Sequence, residues 1–191
     1  MTDLVHRLLG GMAVALAATG CAESVSVGPE TGAGVPCLSY YAMCVDRVFH
    51  VPRSNPGSCS GQGDGCHARV DDAAGRTIAQ GIGGRFKVNA ILFTSGSTGD
   101  AALDELIMTK NYETAVGMAN LFNVPSSLLL TKPLQEPAGV SHLGGALFAD
   151  TSDADYQTIR TWLGNTDSVR GNLAPAQDTG LCQALLATNP C

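Results

Sequence analysis

Cys59-Ser60-Gly61-Gln62-Gly63-Asp64-Gly65-Cys66-His67 sets two thiols and an imidazole on one short, glycine-rich piece of chain, and its reading decides what kind of domain surrounds it. The terminal Cys-His pair is the closing half of the C-x-x-C-H haem attachment site. In that site two thiols add to the haem vinyl groups, and the adjoining histidine gives an axial nitrogen to the iron. Six residues, three of them glycine, separate the cysteines here. Such a loop can bulge away from the porphyrin edge while both sulfurs still reach it. The same residues would equally close a small disulfide loop with His67 merely following, and the segment taken alone leaves both readings open.

The N-terminal residues carry an address. A short, weakly basic start through His6-Arg7 leads into an apolar run, 8–18, too short to span a bilayer comfortably and suited to a signal-peptide core. The run ends in Ala18-Thr19-Gly20-Cys21, which resembles the lipobox of bacterial lipoproteins, with Ala18 where that pattern favours Leu. The resemblance implies that 1–20 is a signal peptide and that Cys21 is lipidated. It also implies an exported chain, lipid-anchored and facing the periplasm or outer membrane or displayed at the cell surface. His6 leaves with the leader. Residues 22–34, rich in Ser, Gly, Glu and Thr and without apolar periodicity, then read as part of a flexible tether, 21–35, ahead of one domain over 36–191.

Composition narrows the function classes. The net charge of −6, with only 11 Lys and Arg and no basic run, argues against a nucleic-acid partner, so membrane contact is expected through lipid rather than charge. Glycine is abundant at 23 residues and aromatics are few, the signature of a loop-rich fold that needs a staple besides its core. Seven cysteines supply one. With Cys21 taken by lipid, Cys37, Cys44, Cys59, Cys66, Cys182 and Cys191 remain, and an oxidising compartment favours their pairing. Nearness in sequence suggests Cys37 with Cys44 and Cys182 with Cys191. The central pair would join haem or each other.

Local patterns predict the elements. Tyr41, Cys44, Val45, Val48 and Phe49 share one helix face, giving a first helix that Pro52 and Pro56 stop. Residues 68–84 are polar and glycine-punctuated, and 85–93 show a partial alternation consistent with a short strand. Asp100 is placed to cap a helix through Met108, and a second helical stretch follows from Tyr112 to about Leu121. Ser126 or Ser127 can cap a short apolar turn that Lys132-Pro133 ends. Asp153 caps a last helix whose Tyr156, Ile159 and Leu163 share a face that Trp162 borders. His50 reads as plain surface.

Three stretches then take on meaning together: Pro125-Ser126-Ser127-Leu128-Leu129-Leu130-Thr131-Lys132, His142-Leu143-Gly144-Gly145, and Ser152-Asp153-Ala154-Asp155-Tyr156 through Trp162-Leu163. Following a widened cysteine pair that ends in Cys-His, this order is similar to the haem-binding cytochrome c-like domains of planctomycete-type and related bacterial exported proteins. Leu143, Leu163 and the six-residue spacer depart from that pattern. The resemblance implies a mainly α fold, a small cytochrome c-like helical domain with long glycine-rich loops, room for one short β element and a disulfide-stapled C-terminal extension. It further implies one covalent haem c on Cys59 and Cys66, with His67 as proximal iron ligand. His142 is the expected second ligand, and Met108 and Met118 are the alternates.

A six-coordinate iron would carry electrons between redox proteins of the cell envelope or between neighbouring subunits. No nucleophile, base and orienting acid are arranged for hydrolysis, and Gly81-Ile82-Gly83-Gly84 lacks the strand and helix that a dinucleotide fingerprint needs, so an enzyme is not expected. The alternative is a haem-free, disulfide-stapled domain of the same kind, serving as a structural or binding subunit of an envelope assembly.

Overall fold

Around the Cys37 end of the predicted first helix almost every residue is apolar or aromatic, and that density fixes the centre of the molecule. The computed structural model describes residues 34–51, 66–135, 139, 145–168, 170–173, 178 and 180–191. After a two-residue strand β1 (Val35–Pro36), the chain winds as α1 (Leu38–Tyr40) and continues without a break through a π turn (Tyr41–Val45) and a 3₁₀ turn (Asp46–Phe49). Only Met43 and Arg47 along this rod are exposed. A helix buried on nearly every side is a core helix, and Tyr41, Cys44, Val45, Val48 and Phe49 all lie inside, as their spacing predicts.

Three helices close on the rod. The Asp100 carboxylate accepts hydrogen bonds from the Ala102 and Leu103 amides and starts a helix that runs unbroken from Ala101 to Val116. It merges what the sequence divides into two helical stretches, because nothing between Met108 and Tyr112 breaks the hydrogen-bond ladder. In the chain-order labels used below, α2 is the short Ile91–Ser95 helix, α3 is Ala101–Val116, α4 is Leu128–Thr131, α5 is Ala154–Gly164 and α6 is Gly180–Thr188. Asp153 caps α5 as predicted, its side chain accepting from the Asp155 and Tyr156 amides. Ser127 precedes α4 without a side-chain cap; its hydroxyl instead accepts from the Asn120 amide at 2.8 Å and ties the loop after α3 to α4.

Trp162 is not at the border of its face but wholly buried against the rod. Its ring centroid lies 5.1 Å from that of Tyr41 and 5.9 Å from that of Tyr112, and its indole N–H donates to the Cys37 carbonyl at 2.9 Å. An indole buried with its one polar atom satisfied contributes its full apolar area, and truncation to Ala costs about 3–5 kcal/mol at such a site.

The cysteines pair across the fold rather than along the chain. Cys37 joins Cys182 and Cys44 joins Cys191, with Cα separations of 5.3 and 5.4 Å. This corrects the neighbour pairing. Two residues seven apart on a helical rod stand roughly 10 Å apart, beyond the about 7 Å that a disulfide can bridge. The two bonds form a staggered double staple between the rod and the C-terminal helix α6. Asp178 strengthens it, accepting from the Ser39 hydroxyl and, at 2.7 Å, from the Asn172 amide.

Among the described residues the fold is mainly α, with two small antiparallel pairs where one short β element is expected. Strand β1 pairs with β4 (Thr166–Asp167) in the register Val35↔Asp167. Gly34 allows this approach, since a Cβ there would collide with the Asp167 carbonyl. Strand β2 (Arg69–Asp71) pairs with β3 (Thr77–Gln80), with an irregularity between Val70 and Asp71. This hairpin lies in the polar, glycine-punctuated stretch whose composition gives no alternation to read. Conversely, 85–93 is not a strand: only Val88 bridges, in parallel, to Ala68, and α2 follows. Among the described residues no helix is long and apolar enough to cross a membrane.

Candidate functional site

The dipeptide Cys66-His67 enters β2 and is gripped from one side by the loop 81–88. The Gly83 amide donates to the Cys66 carbonyl at 2.6 Å, the Val88 amide to the His67 carbonyl at 2.9 Å and the Gly81 amide to the Ala68 carbonyl at 2.8 Å. Lys87 adds its ammonium, which donates to the Cys66 carbonyl at 3.1 Å and to the Gly81 carbonyl. Burial lowers the Lys87 pKa from its ordinary value, while the charge of Cys66 opposes that shift.

The imidazole is oriented by two contacts. His67 Nδ1 lies 2.8 Å from the Phe86 carbonyl oxygen, which can only accept, so Nδ1 donates, and in the neutral ring the lone pair is on Nε2. The Phe86 ring flanks the imidazole with centroids 5.4 Å apart. Gly83 lies against its edge, where a Cβ would stand 2.8 Å from both Cε1 and Nδ1 and 2.6 Å from the Cys66 carbonyl. The Cys66 thiol, on the preceding residue, is free and exposed.

A buried polar network supports the grip from beneath. Asn111 on α3 is wholly buried; its side-chain oxygen accepts from the Asn89 amide at 2.8 Å and from Arg69 at 3.0 Å, and its NH₂ donates to the Asn89 carbonyl at 3.0 Å and to Asp46 at 2.9 Å. One amide therefore holds both backbone groups of Asn89, three residues beyond Phe86. Arg69 in turn binds Asp71 at 2.9 Å. Burial alone would raise the Asp71 pKa, but hydrogen bonds from Asn89 and Thr77 and the Arg69 charge outweigh it and leave the carboxyl below its ordinary range.

At the other end, the Asp46 carboxylate accepts from the Tyr41 hydroxyl and sits 3.1 Å from His50 Nε2. Burial, then the charge and hydrogen bond of Asp46, hold the Tyr41 phenol well above its usual pKa. His50 is 3% exposed, its ring stacked on Phe93 with centroids 5.6 Å apart. It is not the surface histidine expected, because Asp46 four residues earlier in the same rod faces the same way and pairs with it.

A search of protein-family models finds no match to this chain, and none is found among curated proteins or solved structures. The donor set must therefore be judged on its own chemistry. Of the predicted site residues, Cys66 and His67 lie within the described residues, consecutive in the chain, whereas Cys59, His142 and Cys21 lie outside them. Met108 is packed in the core on α3, and Met118 lies half-buried against it just beyond that helix. Among the described residues no three His, Cys, Asp or Glu gather as a metal cage.

The Cys66 thiol and, with Nδ1 engaged by Phe86, the Nε2 atom of His67 are the groups here that could hold a porphyrin. Ile82, 95% exposed one residue from Gly83, adds an apolar surface beside them. Gly83, Phe86, Lys87 and Asn111 are the site residues that sequence reading misses. The glycines of 81–84 are the signal that could have found the loop, once read as room for a close approach to Cys66-His67 instead of as a failed nucleotide fingerprint.

Proposed function

We propose that this chain is an exported monohaem c-type cytochrome, lipid-anchored through Cys21, that works in electron transfer in the cell envelope. The observation that carries the reading is the Nδ1 hydrogen bond of His67 to the Phe86 carbonyl, on the residue that follows the exposed Cys66. Cys59 and Cys66 would hold haem through thioethers, His67 Nε2 would ligate the iron, and His142, with Met108 or Met118 as alternates, would complete the coordination. Bound haem supplies a one-electron couple. The chain's part is to orient and tune: the Phe86 carbonyl fixes the imidazole tautomer and raises its basicity, which favours the oxidised metal. Gly83 and Val88 hold the histidine backbone, and Asn111 holds the segment that carries Phe86.

The second reading, a haem-free structural or binding subunit of an envelope assembly, is favoured by the double disulfide staple and by a core of α1, α3, α5 and α6 that gathers around Trp162. Expression of the full chain in a host that matures c-type cytochromes separates the two. The first reading expects a red protein whose colour survives denaturation, and a His142→Ala variant with a changed ligand-field spectrum. A colourless protein whose six thiols are blocked until reductant is added overturns the first and favours the second.

A further inference from the structure

The two staples differ in what can reach them. Cys37 is 0% and Cys182 1% exposed, which leaves neither sulfur of the inner bond open to a reagent in solution. A carboxylate guards that bond as well. A Cβ on Gly171 would stand 2.6 Å from Asp178 Oδ1 and 3.3 Å from Cys182 Sγ, so the two border the same small space, and a thiolate entering it would meet a negative charge. The outer bond is lopsided: Cys44 is 0% exposed within the rod, whereas Cys191, three residues beyond α6, is exposed. Its S–S bond therefore leads from the core outward. Thiolate attack runs in line with the bond it breaks, and on Cys191 Sγ it comes from the side away from Cys44, which is the side away from the core. Exposed disulfides are the labile and regulatory ones, whereas shielded ones are structural.

We propose that Cys44–Cys191 is an exchangeable disulfide, a two-electron redox site opened by a protein dithiol, while Cys37–Cys182 is the permanent structural bond. One thiolate of the dithiol attacks Cys191 Sγ; the bond to Cys44 Sγ breaks, and Cys44 leaves with the electron pair and takes a proton from water. The dithiol's second thiolate then displaces Cys191, which is protonated in turn. The dithiol ends as a disulfide, oxidised by two electrons, and this chain gains two thiols. Reduction frees the far end of α6 from the rod while Cys182 still pins its start. The freed segment carries Leu185, which is 4% exposed while the bond is closed. The switch is thus a local opening held on a fold that the inner bond keeps together, and it rests on neither reading of the haem site.

The test treats the full mature chain in detergent with dithiothreitol under native conditions, alkylates at intervals and reads each cysteine by peptide mass spectrometry, with Cys59 and Cys66 scored apart. The inner bond must wait for an opening populated in about one molecule in a thousand or fewer, so Cys44 and Cys191 should become alkylatable at least about a hundredfold sooner than Cys37 and Cys182. With the outer pair reduced, circular dichroism should be kept, and amide hydrogen exchange should rise over 185–189 while α3 and α5 stay protected. Reduced glutathione, a monothiol, should be trapped on Cys191 with Cys44 left as the free thiol. In a Cys191→Ser variant the fast phase should vanish and the slow reduction of Cys37–Cys182 remain. Reduction of both bonds together, the inner bond opening first, glutathione on Cys44, or loss of protection across α3 and α5 when only the outer bond is open would each overturn the proposal. A colourless protein would defeat the haem reading while leaving this result valid.

Discussion

Replacing Asn111 by Ala removes four hydrogen bonds from a fully buried position. Two go to charged groups, Asp46 and Arg69, and bonds of that kind are worth about 1.5–3 kcal/mol each; the two to the Asn89 backbone are worth about 1 kcal/mol each. The side chains left behind recover part of this by relaxing, so a net loss of about 3–5 kcal/mol is expected, in the upper tail for single substitutions. For a domain of this size that is a fall in Tm of about 10 °C, read by circular dichroism with both disulfides intact. The loss should also reach the site: with Asn89 released, Phe86 loosens and the His67 Nδ1 proton should exchange faster with solvent. Asn111→Asp sharpens the test. It keeps the acceptor but sets a second carboxylate where an N–H donated to Asp46 at 2.9 Å, so it should be destabilised at neutral pH and recover toward wild type as acid protonates one of the pair. A loss under about 1 kcal/mol in Asn111→Ala, with unchanged exchange at His67, would refute the hub role.

Further outcomes follow from single contacts. Gly83→Ala puts a methyl against His67 and the Cys66 carbonyl and should cost about 1–3 kcal/mol while displacing the His67 ring resonances; a silent variant would mean that the loop does not press on the imidazole. Cys191→Ser opens the outer staple. With Cys37–Cys182 intact, that bond closes a ring of about sixteen residues, so its loss should cost about 3 kcal/mol in thermal unfolding. Because the folded Asp71 carboxyl lies below its ordinary range, its contribution to stability is present above the unfolded carboxylate value of about 4 and is lost as pH falls through the folded one. Denaturant unfolding against pH should show that decline in the wild type and a shallower one in Asp71→Asn.

What the sequence makes legible is what local physics controls. The inward face of the rod follows from three-and-four spacing, and the Asp100 and Asp153 caps follow from a short carboxylate ahead of an apolar run. Cysteine pairing was not legible, since the partners of Cys37 and Cys44 lie 145 and 147 residues away and nearness in sequence favours the wrong choice. Asn111 looks like any polar residue of a helix, and only the fold turns it inward toward Asp46, Arg69 and Asn89. His50 was recoverable in principle from Asp46 four residues before it. In the candidate site, Cys66-His67 can be read directly, while the glycine loop that grips it makes contacts across about twenty residues of polar chain with no periodicity to follow.

The central claim is that Cys66 serves as a thioether to haem beside an oriented His67. Proteolytic peptides of the mature protein carrying Cys59 and Cys66, analysed by mass spectrometry without reductant, test it most directly. The account predicts that both cysteines leave in a peptide bearing one covalent haem. A peptide in which they are linked to each other, or in which Cys66 is a free alkylatable thiol, would contradict it.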